Sequence, residues 1–225
     1  MFLLYCMMKD DPPFACSAVG AGGAKVQDVA KNGVRYFYSE WNPSKTADAV
    51  KEDVLRFHNV VHSIFDHQTV IPFRFPTSVA DEAGLAALIA STSSEYDTEL
   101  VRLHNTVQMK VKISAPAADF PSTAAASGTE YLKQRQRAAS PVSDTVKTIE
   151  AATAPLVIQT KKSHPANDVV LHLLLQRDQQ EELKHKFSSL SGLPAAVTIS
   201  GPWPPTEFVN CYPELPVPAP EASEP

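Results

Sequence analysis

The chain has 225 residues, 44% hydrophobic and 20% charged, a balance that supports a buried core and excludes global disorder. Its formal net charge of −5 gives no general pull toward nucleic acid or an anionic membrane surface. One large or two small domains fit this length, and two are expected.

The opening Met1-Phe2-Leu3-Leu4-Tyr5-Cys6-Met7-Met8 is apolar but stops at Lys9-Asp10-Asp11, without a basic leader, so it reads as a first buried strand rather than a signal peptide. Asp10-Asp11-Pro12-Pro13 marks a turn. A Gly/Ala segment through Ala24 follows, and its Gly20-Ala21-Gly22-Gly23 lacks the lysine and helix of a phosphate loop; it is expected to be a flexible loop. The runs Lys25–Val29 and Val34–Trp41 flank Asn32-Gly33, the usual type I′ dipeptide, and predict a hairpin.

Asn42-Pro43-Ser44 supplies a cap and an N1 proline. Val50, Val54, Phe57, Val61, Ile64 and Phe65 then recur at helical spacing and predict a helix over about 45–67. Thr69–Phe75 reads as a strand, and Pro72 within it favours a sheet edge, because proline cannot donate to a ladder on both sides. A second helix from about 81 carries Leu85, Leu88, Ile89, Tyr96, Leu100 and Leu103, with Ser91-Thr92-Ser93-Ser94 expected to bend it.

Val107, Met109, Val111 and Ile113 alternate with Gln108, Lys110 and Lys112, the pattern of a half-buried strand with those polar residues in water. Residues 114–127 are an Ala/Pro/Ser/Thr loop. A helix from Gly128 runs through Tyr131 and Leu132 and is expected to kink or split at Ser140-Pro141, with a second piece through Val142, Val146 and Ile149. Strands near 156–162 and 168–175, parted by His164-Pro165-Ala166-Asn167, suggest a hairpin. Asp178 and Glu181 resemble a capping box, Gly192 and Pro194 a helix stop, and Ala195–Ser200 a last short strand.

The second half therefore reads β, α, β, β, α, β, the ferredoxin-like order. The expected organisation is an α+β N-terminal domain over 1–106, a ferredoxin-like domain over 107–210, and a disordered proline-rich tail over 211–225. No stretch reaches the length of a membrane helix. Three widely spaced cysteines, Cys6, Cys16 and Cys211, argue against a disulfide framework and for a reducing cytoplasm.

His58, His62 and Asp66 are spaced four apart on the first helix, which invites a metal site. The row winds from the margin of the apolar stripe into solvent, so an ordinary helix flank with a packed His58 is preferred, and no metal or cofactor is expected. His104, His164, His172 and His185 are scattered, and no nucleophile-base pair or dinucleotide fingerprint is visible. Acidic pairs such as Glu181-Glu182 sit at turns and helix starts, where negative charge has a structural role. Val169–Leu175 carries no aromatic residue, which removes the stacking platform an RNA-binding reading would need.

Gly201-Pro202-Trp203-Pro204-Pro205-Thr206-Glu207-Phe208-Val209 resembles the closing GPWPPYSFV signature of the GvpL/GvpF family of gas vesicle proteins. In the same order, His58 through Val70-Ile71-Pro72-Phe73-Arg74-Phe75 resembles the family's histidine-to-P-x-R-F-G segment, and Gly128-Thr129-Glu130-Tyr131-Leu132 its G-x-x-YL helix start. Pro76 replaces the family's glycine and Thr206-Glu207 its Tyr-Ser. The resemblance implies two α+β domains, the second a modified ferredoxin-like domain, and no catalytic residues. It also implies a role in gas vesicle assembly through contact with the shell subunit or other accessory proteins. Arg74 and Phe75, then Trp203 and Phe208, are the expected contact residues. The alternatives are a metal-dependent enzyme using His58 and His62, and a general interaction module in a host without gas vesicles.

Overall fold

The computed structural model describes residues 1–11, 14–43, 46–114, 128–165 and 168–211. Pro12-Pro13, Ser44-Lys45, residues 115–127, Ala166-Asn167 and the tail beyond Cys211 lie outside the described residues, as do the side chains of Ser93 and 128–140. The protein is mixed α+β, with two sheets.

The first sheet is built from β1 (Phe2–Lys9), β2 (Gln27–Lys31), β3 (Val34–Glu40), β4 (Val70–Pro72) and β5 (Ser78–Val79). Its order is β2-β3-β1-β4, with β5 also pairing β1. The expected hairpin forms between β2 and β3, where Lys31 pairs with Val34 and both turn residues take positive φ, Asn32 at 52° and Gly33 at 79°. Leu3 through Met8 are fully buried, so both faces of this central strand are covered. Tyr5 packs on Phe57 of helix α1 (Ala47–Phe65) with ring centroids 5.3 Å apart. Tyr36 of β3 meets Thr92 of helix α2 (Glu82–Arg102) at 3.2 Å.

The α2 stripe is buried from Leu85 to Leu103 as its periodicity predicts, whereas Val50 at the start of α1 is 40% exposed. Ser91 and Thr92 return their hydroxyls to the Leu88 carbonyl, at 2.9 and 2.7 Å, and the helix continues unbroken. The strand expected over 69–75 is shorter: β4 ends at Pro72 and β5 begins at Ser78, with Phe73 and Thr77 between them each bonded to the backbone of β1.

The second sheet comprises β6 (Thr106–Ser114), β7 (Val157–Ser163), β8 (Asp168–Gln176) and β9 (Ala196–Trp203), in the order β7-β8-β6-β9. Every neighbouring pair is antiparallel. Helices α3 (Gly128–Thr153) and α4 (Gln180–Ser189) complete the β-α-β-β-α-β order of the ferredoxin-like arrangement. The hairpin read around His164 is the β7–β8 pair, with Ser163 opposite Val170.

Three local expectations are corrected here. Pro141 lies inside α3, which remains one helix: proline removes a single backbone bond, and Val142, Val146 and Ile149 anchor the following turns by burial. The Asp178/Glu181 capping box does not form, because a 3₁₀ turn over Arg177–Gln179 leads straight into α4 with Gln179 at its N-cap and no side-chain cap bond. Glu181 instead bonds Lys184 at 2.7 Å. The last strand extends through Trp203 rather than stopping at Ser200, so the Gly-Pro-Trp segment is part of the sheet.

The chain divides into two compact units. The first contains Met1–Val60, Phe73–Arg102 and the described residues from Val209 onward; the second contains Val61–Pro72 and Leu103–Phe208. Within the second unit, Arg177 explains why the last turn of α1 belongs there. Its guanidinium donates to the Phe65 carbonyl at 2.8 Å and lies 4.4 Å from the Phe65 ring centroid.

Candidate functional site

Beyond β4 the chain makes a tight turn against β1. Phe73 is buried and donates its N–H to the Tyr5 carbonyl at 2.9 Å, and Thr77 N–H closes on the Arg74 carbonyl at 2.7 Å. The Phe75–Pro76 peptide is cis, so Arg74–Thr77 has the form of a type VI turn, where the family's glycine is replaced by proline. Arg74 is exposed at the sheet edge that Pro72 predicted, and Phe75 is half-buried, with its ring against Trp41 (5.9 Å) and Phe57 (5.5 Å).

The second candidate segment folds back onto its own sheet. Gly201 has φ 124°, and a Cβ there would stand 2.8 Å from Met109 Sδ and 2.9 Å from the Gln108 carbonyl oxygen, so glycine is required by both conformation and space. Pro204 and Pro205 are buried, and a 3₁₀ turn over Thr206–Phe208 follows. Glu207 N–H donates to Gln108 Oε1 at 3.0 Å, which explains why Gln108 is only 5% exposed although its position in the alternation predicts a solvent-facing side chain. Gln108 also meets His172 Nδ1 at 3.2 Å, and burial lowers the imidazole pKa.

Of the four expected contact residues, Arg74 and Trp203 are exposed, Phe75 is half-buried and Phe208 is buried at 1% exposure. Phe208 therefore serves packing, with Lys161 Nζ 5.7 Å from its ring centroid. Trp203 rests edge-on against His62, at 5.5 Å between centroids.

The histidine row does not converge. His58 is exposed rather than packed, its ring nearly perpendicular to that of the adjacent Phe57 at 6.0 Å between centroids, while His62 is half-buried and Asp66 exposed. Among the described residues no three His, Cys, Asp or Glu side chains are grouped to hold a metal ion. Nor is any helix among them long and apolar enough to cross a membrane.

Sequence reasoning missed a buried polar cluster in the first unit. Asp53, 3% exposed, accepts Gly22 N–H at 2.7 Å on Oδ1 and the Trp41 indole N–H at 3.0 Å on Oδ2. Tyr5 Oη accepts Ala21 N–H at 2.8 Å and lies 2.8 Å from Ser39 Oγ. The glycine-rich segment expected to be flexible is thus a pinned 3₁₀ turn. The available signal was Asp53 itself, a carboxylate one helical turn before Phe57 on the apolar stripe. Beside the cluster opens a cleft of about 770 Å³, whose wall includes Phe2, Gly22, Trp41, Glu40, Asp81 and Glu82.

One family profile, described as gas vesicle synthesis protein GvpL/GvpF, matches residues 1–210. Two solved structures are similar over nearly the whole chain. The gas vesicle protein GvpF from Anabaena sp. PCC7120 aligns with TM-score 0.72 at 15% identity, covering 94% of this chain and 96% of that one. GvpF from Microcystis aeruginosa aligns with TM-score 0.73 at 13% identity, covering 93% and 99%. At these identities the likeness establishes the fold. Among curated proteins none matches the sequence.

Proposed function

Because the chain belongs to the gas vesicle synthesis protein GvpL/GvpF family, we propose that it assists gas vesicle assembly in the cytoplasm by binding the shell subunit or another accessory protein, without chemistry of its own. The observation that carries this reading is the family match across residues 1–210, which spans both units. An assembly helper needs contact surface rather than a reaction centre, and a sheet edge beside an exposed side chain supplies it. The Arg74 turn at the edge of the first sheet is the preferred contact. Trp203, 40% exposed on edge strand β9, is the second.

The test is co-purification of the shell subunit with wild type, Arg74→Ala and Trp203→Ala, with circular dichroism to establish that each variant folds. Loss of capture by folded Arg74→Ala supports the preferred surface, and normal capture removes that arginine from it. Failure of the wild type to retain any gas vesicle protein overturns the reading.

A further inference from the structure

Four segments of the first unit converge at one end of its sheet. β1 begins there at Phe2, β3 ends there at Glu40, and the pinned turn at Gly22 and the start of α2 at Glu82 close the sides. Phe2 pairs with Glu40, and Trp41 N–H bonds the Met1 carbonyl at 2.9 Å, so two of the walls are fixed by the sheet itself. The other fixed point is Asp53, whose two oxygens hold Gly22 N–H and the Trp41 indole. The resulting cleft, about 770 Å³ and open to solvent, is a prebuilt feature within the range of roughly 300–1,000 Å³ that ligand pockets occupy.

Its chemistry is one-sided. Glu40, Asp81 and Glu82 line it as exposed carboxyl side chains, and among the described residues no lysine, arginine or histidine lines it. Opposing them is the N-terminus of α2, worth roughly half a positive charge and already capped where Gly84 N–H bonds Asp81 Oδ1 at 2.8 Å. Three carboxyl side chains outweigh it, so the wall formed by the described residues is acidic. Alongside the carboxylates stands Trp41, half-buried, whose indole attracts cations.

We propose that this cleft receives a basic side chain, arginine in preference to lysine, from a partner polypeptide, with the guanidinium against Trp41 and between Glu40 and Glu82. Arginine is preferred because its planar group combines stacking with bidentate carboxylate pairing. The proposal rests on the assembly reading for the nature of the partner and gives that reading a second contact, chemically unlike the Arg74 turn.

The test needs no gas vesicle protein. The chain has two tryptophans, so their indole N–H signals separate in a proton–nitrogen correlation spectrum. The titrant is a short synthetic peptide of alternating arginine and alanine, with a glutamate-alanine peptide as control. A saturable shift of the Trp41 signal is expected with the arginine peptide alone, weakening as salt rises. Glu40→Gln combined with Glu82→Gln, both exposed positions that leave the Asp81 cap intact, is expected to weaken binding about tenfold with an unchanged melting temperature. A Trp41 signal indifferent to the arginine peptide, an equal response to the control peptide, or undiminished binding by the folded double variant overturns the proposal. Shell-subunit capture is read separately: capture by wild type with a silent cleft defeats this inference alone, and a responsive cleft with no capture defeats the assembly reading alone.

Discussion

Two proline-marked segments, each resembling a family motif, have opposite fates. Residues 72–77 turn at a sheet edge and leave Arg74 exposed, with Phe75 only half covered by Trp41 and Phe57. Residues 201–208 also carry prolines and aromatics, but they fold onto β6 and bury Pro204, Pro205 and Phe208. The difference lies in what the sheet offers. Gln108 turns an amide toward the second segment and satisfies Glu207 N–H, whereas the backbone bonds of the first segment are met by β1 and by its own turn. Proline density marks a fixed backbone; whether the neighbouring side chains face inward depends on a partner elsewhere in the chain.

That contrast yields a graded set of expectations. Phe208→Ala is expected to cost about 3–5 kcal/mol in urea unfolding, as for a large buried aromatic. Gly201→Ala follows at roughly 2–3 kcal/mol, since its Cβ meets a backbone oxygen that cannot give way and its φ disfavours any side chain. Gln108→Ala is expected to cost about 1–3 kcal/mol by leaving Glu207 N–H without its acceptor. If these three substitutions prove as mild as a surface change, the segment is not a closing element and the comparison fails.

A smaller effect sits just past the segment, within the first unit, where Asn210 N–H donates to Glu99 Oε2 at 3.0 Å. Hydrogen bonds from Arg102, then from Asn210, hold the Glu99 carboxyl below its ordinary value of 4.5. Its stabilising contribution is therefore complete above that value and lost as pH falls through the lower folded-state pKa. Glu99→Gln should flatten the acid side of the stability profile and cost about 1 kcal/mol at neutral pH, read by thermal melts across pH. Arg74→Ala closes the series with a stability change within about 0.5 kcal/mol. A large destabilisation there would show that the turn needs its arginine for folding and would erase the distinction between the segments.

The elements that follow simple periodicity were legible in the sequence. The β2–β3 turn came from Asn32-Gly33 alone, the α2 core face from its spacing, and the second sheet from the order of its elements. What escaped depends on contacts distant in sequence. Gln108 alternates as a surface residue but is buried between Glu207, 99 positions later, and His172, both of which it hydrogen-bonds. Asp53 and the Gly22 turn are joined across 31 positions, and neither is informative without the other. The passage of residues 61–72 into the second unit has no compositional mark, since α1 runs through that point as one helix.

The two units are also interleaved along the chain, and this orders their birth. The first unit draws its residues from three stretches, the last beginning at Val209, and the second from two, the earlier ending at Pro72. On a ribosome the N-terminal sheet therefore emerges early but must wait for more than a hundred further residues before Asn210 arrives to complete the Glu99–Arg102 cluster. Residues 61–72 are made long before the strands with which they will be grouped. The unit that starts first cannot finish first, because its last stretch begins at Val209, just after the other unit ends at Phe208.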